Sequence, residues 1–457
     1  MNSLKSWRVL LLTAIVIALC ASCSKSDKNP VSSHEDPLKA DSLVQAANAQ
    51  LGNELYNLAN GPDVQRPGDV DLSAAYNLYV QALGYQGNHT GANFGAGMLE
   101  LIMLSRDSDV QTFFDRCKTM FDSANYFEVG QGGRFMGGAP QAPQPVMRLD
   151  QVSLPVLAPL KMLRGMCRTL DDNGPTVAEL QQICVGNILP RVQTATQRLS
   201  VVAANRQFTF IITPHMQGDD GEDPMYMDQT EVCFTLAVLN GLEAMLQHFC
   251  AYDLNLAAYD SSAMIAALSQ GSSFGRLKAD GTSRMQAART AWLNATTNLD
   301  SAVSFLEHET GDQSHHVIHL DPYDHLTQAD LDTITTYLPQ VKNALNSSQV
   351  FSLDTDGNSN TPAEDVEISL AAFFNSPISD VKALFPAYTV TLGTQYDEHG
   401  TLRYTPRITW QADDFTHWIL PNPTLGGLLP GMTDTHFKQV FNIREEDWQK
   451  TSTWNLW

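Results

Sequence analysis

The chain has 457 residues, 43% of them hydrophobic, which is typical of globular proteins and long enough for two or three domains. Acidic residues outnumber basic ones by 50 to 28, and the formal net charge is −22. Because such a charge repels phosphate backbones, the composition argues against nucleic acid as a partner.

The N-terminus has the three-part pattern of a secretory signal peptide. Two basic residues precede an apolar run over 9–21, which is shorter than the roughly 20 residues that cross a bilayer. Ala21 and Ser22 before Cys23 resemble the lipobox of bacterial lipoproteins, although Cys20 stands where that family usually has Leu. The resemblance implies cleavage before Cys23 and lipidation of this cysteine.

The residues after the cysteine indicate how the protein would be anchored. Ser24 rather than Asp follows Cys23, which in Gram-negative lipoproteins implies sorting to the outer membrane. Residues 23–40 have hardly an apolar side chain to bury and are typical of a flexible tether. We therefore expect removal of the signal peptide 1–22 and a lipid-anchored chain in the cell envelope. Ordinary cleavage, with Cys23 as a spare thiol, is the alternative.

Helical periodicity continues through most of the chain up to about residue 346. The predicted helices cover 43–58, 72–83, 92–104, 109–120, 154–170, 177–202, 227–252, 285–306 and 328–345. Pro190 should kink or split the helix over 177–202. The helix over 227–252 is the candidate for the central core helix, with one apolar stripe expected to face the core: Phe234, Val238, Leu242, Met245 and Phe249.

The helices over 72–83 and 92–104 are joined by a short connection, which predicts an antiparallel hairpin. Small and apolar residues in this hairpin resemble one tetratricopeptide repeat of about 34 residues. They are Ala75, Tyr79, Ala82, Leu83, Ala92, Gly95 and Leu99. The resemblance implies close approach of the two helices, and a plain helical bundle would produce the same residues.

The C-terminal residues 347–457 differ in character from the helical domain over 41–346. Strand-like runs over 388–392 and 402–409 flank a turn over 397–400, which predicts a β-hairpin, and 434–441 resembles a last short helix. The predicted fold class is mostly α. Antiparallel helical hairpins form a bundle or repeat-like array, followed by a small mixed α/β C-terminal subdomain that contains the β-hairpin.

The cysteines beyond the signal region are widely spaced and show no zinc-type CxxC or Cys/His pattern. They are Cys117, Cys167, Cys184, Cys233 and Cys250. Five cysteines cannot all pair, so buried free thiols are expected, together with at most one or two disulfides.

The segment 354–365 alternates Asp and Asn, a spacing by which a tight loop wraps a hard cation. It resembles the calcium loops of EF-hands and of dockerin-like bacterial modules in Asp354, Asp356, Asn358, Asn360 and Asp365. It departs from them in placing Gly357 two positions early. The resemblance implies calcium as a structural staple, and a solvated Asx-rich turn between Phe351 and Val366 is the alternative.

Five of the twelve histidines lie between His308 and His325, among acidic residues. On a helix, His315 and His319 would share a face at i,i+4 spacing, which suits two imidazole ligands of zinc or a similar ion. A polar loop between helices is the alternative, since Gly and Pro bracket the stretch. The chain has no HExxH, GxSxG, GxGxxG or P-loop motif, so no catalytic residue is assigned.

These features predict a membrane-anchored cell-envelope lipoprotein that acts as a binding or scaffold component through a helical surface, with a protein or glycan partner. One alternative is a solute- or glycan-binding lipoprotein, similar in general plan to helical lipoproteins that capture glycans at the outer membrane. It would have a deep aromatic pocket. The other is a metal-dependent periplasmic enzyme that uses the cluster over 308–325, with His315, His316 and His319 meeting a carboxylate around an open cleft. The residues favour binding over catalysis.

Overall fold

The computed structural model describes residues 36–60, 71–123, 176–219, 221–255, 261–269, 271–309, 313, 315–320, 326–353, 364–384, 388–396, 402–410, 422–440 and 453–455. Within these residues the fold is mostly α, with small antiparallel sheets, as the sequence predicted. The predicted signal peptide with Cys23, the tether up to residue 35, the predicted helix over 154–170 and four of the five predicted calcium ligands lie outside them.

The first helices are α1 (Pro37–Asn60), α2 (Ser73–Tyr85), α3 (Thr90–Ile102), α4 (Ser108–Ser123), α5 (Val177–Ile183) and α6 (Leu189–Ala203). The later helices are α7 (Gln229–Ala251), α8 (Ser261–Leu268), α9 (Gly281–His308), α10 (Gln328–Asn346), α11 (Leu370–Asn375) and α12 (Asp434–Val440). The strands are β1 (Phe210–Ile212), β2 (Met225–Met227), β3 (Gln349–Leu353), β4 (Glu364–Ile368), β5 (Tyr388–Tyr396), β6 (Leu402–Trp410) and β7 (Thr453–Asn455). The predicted helices that fall within the described residues are confirmed, whereas the short helices α8 and α11 were not predicted.

The chain divides into two compact units, each drawn from three stretches of sequence. Unit 1 takes its described residues from Met1–Asp115, Gln182–Leu246 and Thr290–Leu338. Unit 2 takes its described residues from Arg116–Gln181, Gln247–Arg289 and Pro339–Trp457. The C-terminal residues therefore share a unit with earlier parts of the chain, and a domain boundary near residue 346 stays a prediction.

Helices α1, α2 and α3 of unit 1 pack around a core rich in alanine. Fully buried alanines supply much of the contact: Ala40, Ala47, Ala75, Ala82, Ala92 and Ala96. Because an alanine side chain is a single methyl group, the helices can approach closely and larger apolar residues fill the remaining space. The close approach implied for the hairpin of α2 and α3 is therefore observed. Whether this hairpin is a tetratricopeptide repeat stays a prediction.

The closest contact in this hairpin lies between Tyr79 of α2 and Gly95 of α3. Tyr79 is fully buried, and its hydroxyl donates a 2.6 Å hydrogen bond to Oδ1 of Asn48 on α1. A Cβ atom at Gly95 would overlap the Tyr79 ring. The position therefore requires glycine as long as the tyrosine is present.

A buried ionic cluster connects α2, α3 and α6. Glu100 is 2% exposed, and its Oε1 lies 2.5 Å from Nη1 of Arg191. Its Oε2 accepts a 2.7 Å hydrogen bond from the hydroxyl of Tyr76 and lies 3.6 Å from Nη1 of Arg198. Since a buried charge is stable only when it is paired, these contacts fix the positions of three helices.

The chain between α5 and α6 is continuous but changes its helical form. A π-helical turn, Cys184–Ile188, separates the two helices, and Pro190 stands in the first turn of α6. Proline has no N–H to donate and its ring crowds the preceding turn, so a wider turn accommodates it. The helix predicted over 177–202 is therefore interrupted by a π-helical turn just before Pro190, but its backbone stays helical throughout.

The prediction that the apolar stripe of α7 faces the core is wrong. Phe234, Val238 and Met245 are 42%, 37% and 55% exposed. The buried face carries Val232, Cys233, Leu236, Leu239 and Ala244 instead. The helix is apolar on most sides, and by length and composition alone it could cross a membrane, as many core helices could. Periodicity therefore could not select its buried face.

Three of the five cysteines noted in the sequence, Cys184, Cys233 and Cys250, are buried, and Cys233 is a free thiol. The expectation of buried free thiols is therefore confirmed for Cys233. Cys167 and the side chain of Cys117 lie outside the described residues.

Unit 2 contains two antiparallel hairpins. Strands β3 and β4 pair with Phe351 opposite Val366, and β5 and β6 pair with Tyr388 opposite Trp410, while β7 adds to β6. The hairpin predicted in the C-terminal part is confirmed, as is its last short helix, α12. On unit 2's part of α7, the ring of His248 lies edge-on to Phe373, with 5.6 Å between ring centroids, and burial lowers the pKa of His248 to about 4.

Candidate functional site

Asp228 is positioned by the start of α7. Its Oδ1 accepts a 2.7 Å hydrogen bond from the backbone N–H of Thr230, while Glu231 accepts one of 2.7 Å from the N–H of Asp228. Asp228 thus caps the helix through Thr230, and Glu231 reaches back to the N–H of Asp228 as in a capping box, so both bonds satisfy N–H groups that the first helical turn leaves unpaired. The strand pair of β1 and β2, with Phe210 opposite Met227, precedes it and fixes the direction of entry.

His316 is brought beside Asp228 by an isolated parallel bridge between His316 and Tyr226 of β2. Tyr226 donates its N–H to the carbonyl of His315 at 2.9 Å, and Val317 donates to the carbonyl of Tyr226 at 3.2 Å. Glu231 strengthens the connection, because its Oε1 accepts a 2.9 Å hydrogen bond from the N–H of Ile318. Residues 315–320 therefore begin alongside β2 in space, and they form no helix.

Glu309 directly follows the last residue of α9 and completes a group of three. Its Oε1 lies 3.4 Å from Nε2 of His316, and Oδ2 of Asp228 lies 3.6 Å from Nδ1 of the same ring. One potential ligand atom from each of Asp228, Glu309 and His316 lies within 4.8 Å of the other two. Tetrahedral coordination with bonds of roughly 2.0–2.2 Å separates ligands by roughly 3.3–3.6 Å, so either carboxylate lies at ligand spacing from the ring nitrogen that it faces, and an ion bound to one nitrogen would draw the other carboxylate towards it.

The group carries more negative than positive charge. Burial raises the pKa of Glu309, the charge of His316 opposes this, and the charge of Asp228 adds to it. Burial also raises the pKa of Glu231 to about 7, although the N–H groups of Asp228 and Ile318 favour its ionised form. A bound cation would relieve the repulsion among these carboxylates.

An open cleft of about 250 Å³ lies beside the group. Asp228 and Glu309 contribute to its lining, together with Gln229, Thr230 and Phe305. Three protein ligands at the edge of a cleft leave a coordination position for a further molecule, as in zinc sites that bind substrate or water.

The structure separates the two histidines that the sequence suggested as a pair. The side chain of His315 is exposed, whereas Nδ1 of His319 lies 3.0 Å from the carbonyl oxygen of His316. Neither belongs to the three-residue group, and their role as metal ligands stays a prediction. His316 and Glu309 were part of the cluster noted in the sequence, but Asp228 was not singled out.

Of the predicted calcium ligands, only Asp365 lies within the described residues. It is exposed on β4, opposite Ser352 of β3, whose hydroxyl donates to its carboxylate. The pair of Leu353 with Glu364 is the last one before the connection over 354–363. The segment thus joins the strands of a hairpin, and calcium binding there stays a prediction.

The group of Asp228, Glu309 and His316 comes from three separate segments, so no linear motif describes it. The local signal available in the sequence was the spacing of Asp228 and Glu231 before a long apolar run, which is typical of a capping box. No protein-family model matches this chain, and no curated protein or solved structure matches it.

Proposed function

We propose that this chain is a membrane-anchored cell-envelope lipoprotein whose binding function depends on a transition-metal ion held by Asp228, Glu309 and His316. The convergence of one imidazole and two carboxylates at the edge of an open cleft carries the proposal. Mixed nitrogen and oxygen ligands suit zinc and neighbouring first-row ions, whereas calcium takes oxygen ligands. The envelope location rests on the sequence around Cys23.

The surroundings of the group favour binding over turnover. Glu231, a further carboxylate beside the group, is 1% exposed and accepts two backbone hydrogen bonds. It is therefore poorly placed to take a proton from a substrate in the cleft, because its oxygens are occupied and shielded. The ion would hold a ligand at its open position.

A charge clamp without metal is the competing interpretation of the same geometry. A protonated His316 would lie between Asp228 and Glu309, with one ring nitrogen facing each carboxylate. Charge-assisted hydrogen bonds, however, are about 2.7–2.9 Å long. The observed separations of 3.4 and 3.6 Å are longer, and Nδ1 of His316 is buried without a hydrogen-bond partner in the part of the chain that the structure describes. A single ion would take one ring nitrogen, and the opposite carboxylate would turn towards it.

Zinc titration of the purified protein tests the metal site. We expect calorimetry and elemental analysis to show about one zinc ion per wild-type chain and loss of this ion in His316→Ala. His319→Ala is the matched control, since it removes a neighbouring histidine outside the group, and it should bind zinc like the wild type. Equal zinc binding by His316→Ala and the wild type would refute this site. Loss in His319→Ala and His315→Ala alone would favour the sequence-predicted pair.

The anchoring part has its own test. Cys23→Ala should release the protein from the membrane fraction of an expressing cell and abolish palmitate labelling, because the lipid is attached at this residue. Unchanged labelling would contradict a lipoprotein. The interaction-scaffold interpretation, with a protein or glycan partner on the helical surface, stays a prediction.

A further inference from the structure

One residue that lines the cleft beside the proposed metal site has a buried side-chain oxygen that lacks a hydrogen-bond donor within the described residues. Gln229 lines the cleft and is 3% exposed. Its Nε2 donates to the carbonyls of Val202 and Asn205, which fixes the orientation of the amide. Oε1 then faces away from those carbonyls and has no partner among the residues that the structure describes. A buried acceptor of this kind is costly unless a ligand or water donates to it.

A second unpaired oxygen lies on the next residue. Thr230 also lines the cleft, is 2% exposed, and has no hydrogen-bond partner for its Oγ1 within the described residues. A hydroxyl can donate as well as accept, whereas the amide oxygen of Gln229 only accepts. This side of the cleft therefore suits a ligand group that carries at least one N–H or O–H.

A cation lines the same cleft. Arg206 is exposed and forms no ion pair with the described residues, although the chain has a net charge of −22. A guanidinium stays charged at all physiological pH values and binds carboxylates well. Asp228 and Glu309 would repel an anion from the cleft, but a divalent ion between them would cancel their two charges. Anion binding should therefore require the metal.

We propose that this cleft binds a small hydroxy- or amino-carboxylate when the metal site is occupied. The carboxylate interacts with the ion and with Arg206, and the neighbouring hydroxyl or amino group donates to Oε1 of Gln229. A cleft of about 250 Å³ has room for a metabolite of a few carbon atoms. This inference rests on the proposed metal site and names the class of its ligand.

Three probes with the same carbon skeleton test the inference. L-lactate carries a hydroxyl beside its carboxylate, L-alanine carries an amino group there, and propionate carries neither. We expect calorimetry on the zinc-loaded protein to show binding of L-lactate or L-alanine at least tenfold tighter than binding of propionate. The stronger of the two identifies the donor group. Removal of zinc should abolish binding.

Arg206→Gln provides the variant, because the side chain is exposed and its replacement should leave the fold intact. This variant should bind zinc like the wild type but bind the preferred probe at least tenfold more weakly. Arg106→Gln, which changes an arginine that does not line the cleft, is the control and should bind both zinc and the probe like the wild type.

The outcomes separate this inference from the proposed metal site. If zinc binds and all three probes fail, or bind equally, or bind without zinc, this inference is wrong and the metal site stands. If zinc itself does not bind at Asp228, Glu309 and His316, the proposed function fails first. An Arg206→Gln protein with unchanged probe affinity also overturns the inference.

Discussion

Glu231 and His248 lie near opposite ends of the same helix, α7, the first in unit 1 and the second in unit 2. Glu231 is buried but accepts hydrogen bonds from two backbone N–H groups, and its pKa is raised to about 7. His248 is surrounded by aromatic rings, including Phe373 and Phe374, and its pKa is lowered to about 4. Burial thus favours the neutral form of both side chains, which is the protonated carboxyl of Glu231 and the deprotonated imidazole of His248.

The two residues therefore make the stability of the protein depend on pH with opposite signs. Glu231 binds its proton more tightly in the folded state, so its contribution grows as the pH falls from about 7 towards 4.5. His248 binds its proton less tightly in the folded state, so the protein loses stability as the pH falls from 6.5 towards 4. In acid the two effects partly cancel.

The largest effect is expected where a buried charge depends on a partner. Arg191→Met removes the closest cation from Glu100, and we expect the free energy of unfolding to fall by about 3 kcal/mol or more. Urea denaturation measures this loss. The double variant Glu100→Gln with Arg191→Met should recover part of it, because no unpaired carboxylate remains. A double variant less stable than the single one would show that Glu100 is sufficiently paired through Arg198.

The next effect concerns Glu231. In chelator, the wild-type protein should gain up to roughly 3 kcal/mol from this residue between pH 8 and pH 4.5, since its pKa rises from 4.5 to about 7 on folding. Glu231→Gln cannot take up the proton, so its unfolding free energy should change with pH by that much less. Parallel curves for the two proteins would mean that Glu231 ionises normally.

A smaller effect of opposite sign is expected from His248→Phe. The difference in unfolding free energy between the variant and the wild type should shift by about 2 kcal/mol in favour of the variant when the pH is lowered from 8 to 5. At pH 5 the unfolded wild type takes up a proton at His248 that the folded protein does not bind. Comparing the two pH values removes the effect of altered packing against Phe373. A difference that does not change with pH would contradict a neutral buried histidine.

The smallest effect is expected from calcium, and its test distinguishes the predicted calcium loop of unit 2 from the proposed zinc site of unit 1. If calcium binds the connection over 354–363, a tenfold excess over its Kd should stabilise unit 2 by about 1.4 kcal/mol. The double change Asp354→Ala and Asp356→Ala should remove this gain but leave zinc binding by unit 1 intact. Equal melting temperatures in millimolar calcium and in chelator would show that the connection does not bind calcium and favour the interpretation as a solvated turn.

Local patterns predicted the elements whose cause is local. The short link between α2 and α3 gave their hairpin, and turn residues gave the hairpin of β5 and β6. The buried face of α7 could not be predicted, because the helix offers apolar side chains on several sides and only tertiary packing chooses among them.

The candidate site depended on contacts that no sequence pattern contains. The pairing of His315 with His319 assumed a helix, but the hydrogen bonds of residues 315 and 317 with Tyr226 hold this segment beside β2 in a non-helical conformation. Its place beside β2 brings His316, rather than either neighbour, to Asp228. Such a bridge joins residues about ninety positions apart, which a local spacing rule cannot anticipate.

The overlap between Tyr79 and any side chain at position 95 has a consequence for how this chain can change over time. The ring of Tyr79 occupies the space that a side chain at Gly95 would need, so neither position is free to vary by itself. A larger residue at 95 becomes acceptable only after Tyr79 has become small, and a small residue at 79 leaves a cavity until 95 fills it. The order of substitutions therefore matters, and the two positions are epistatic.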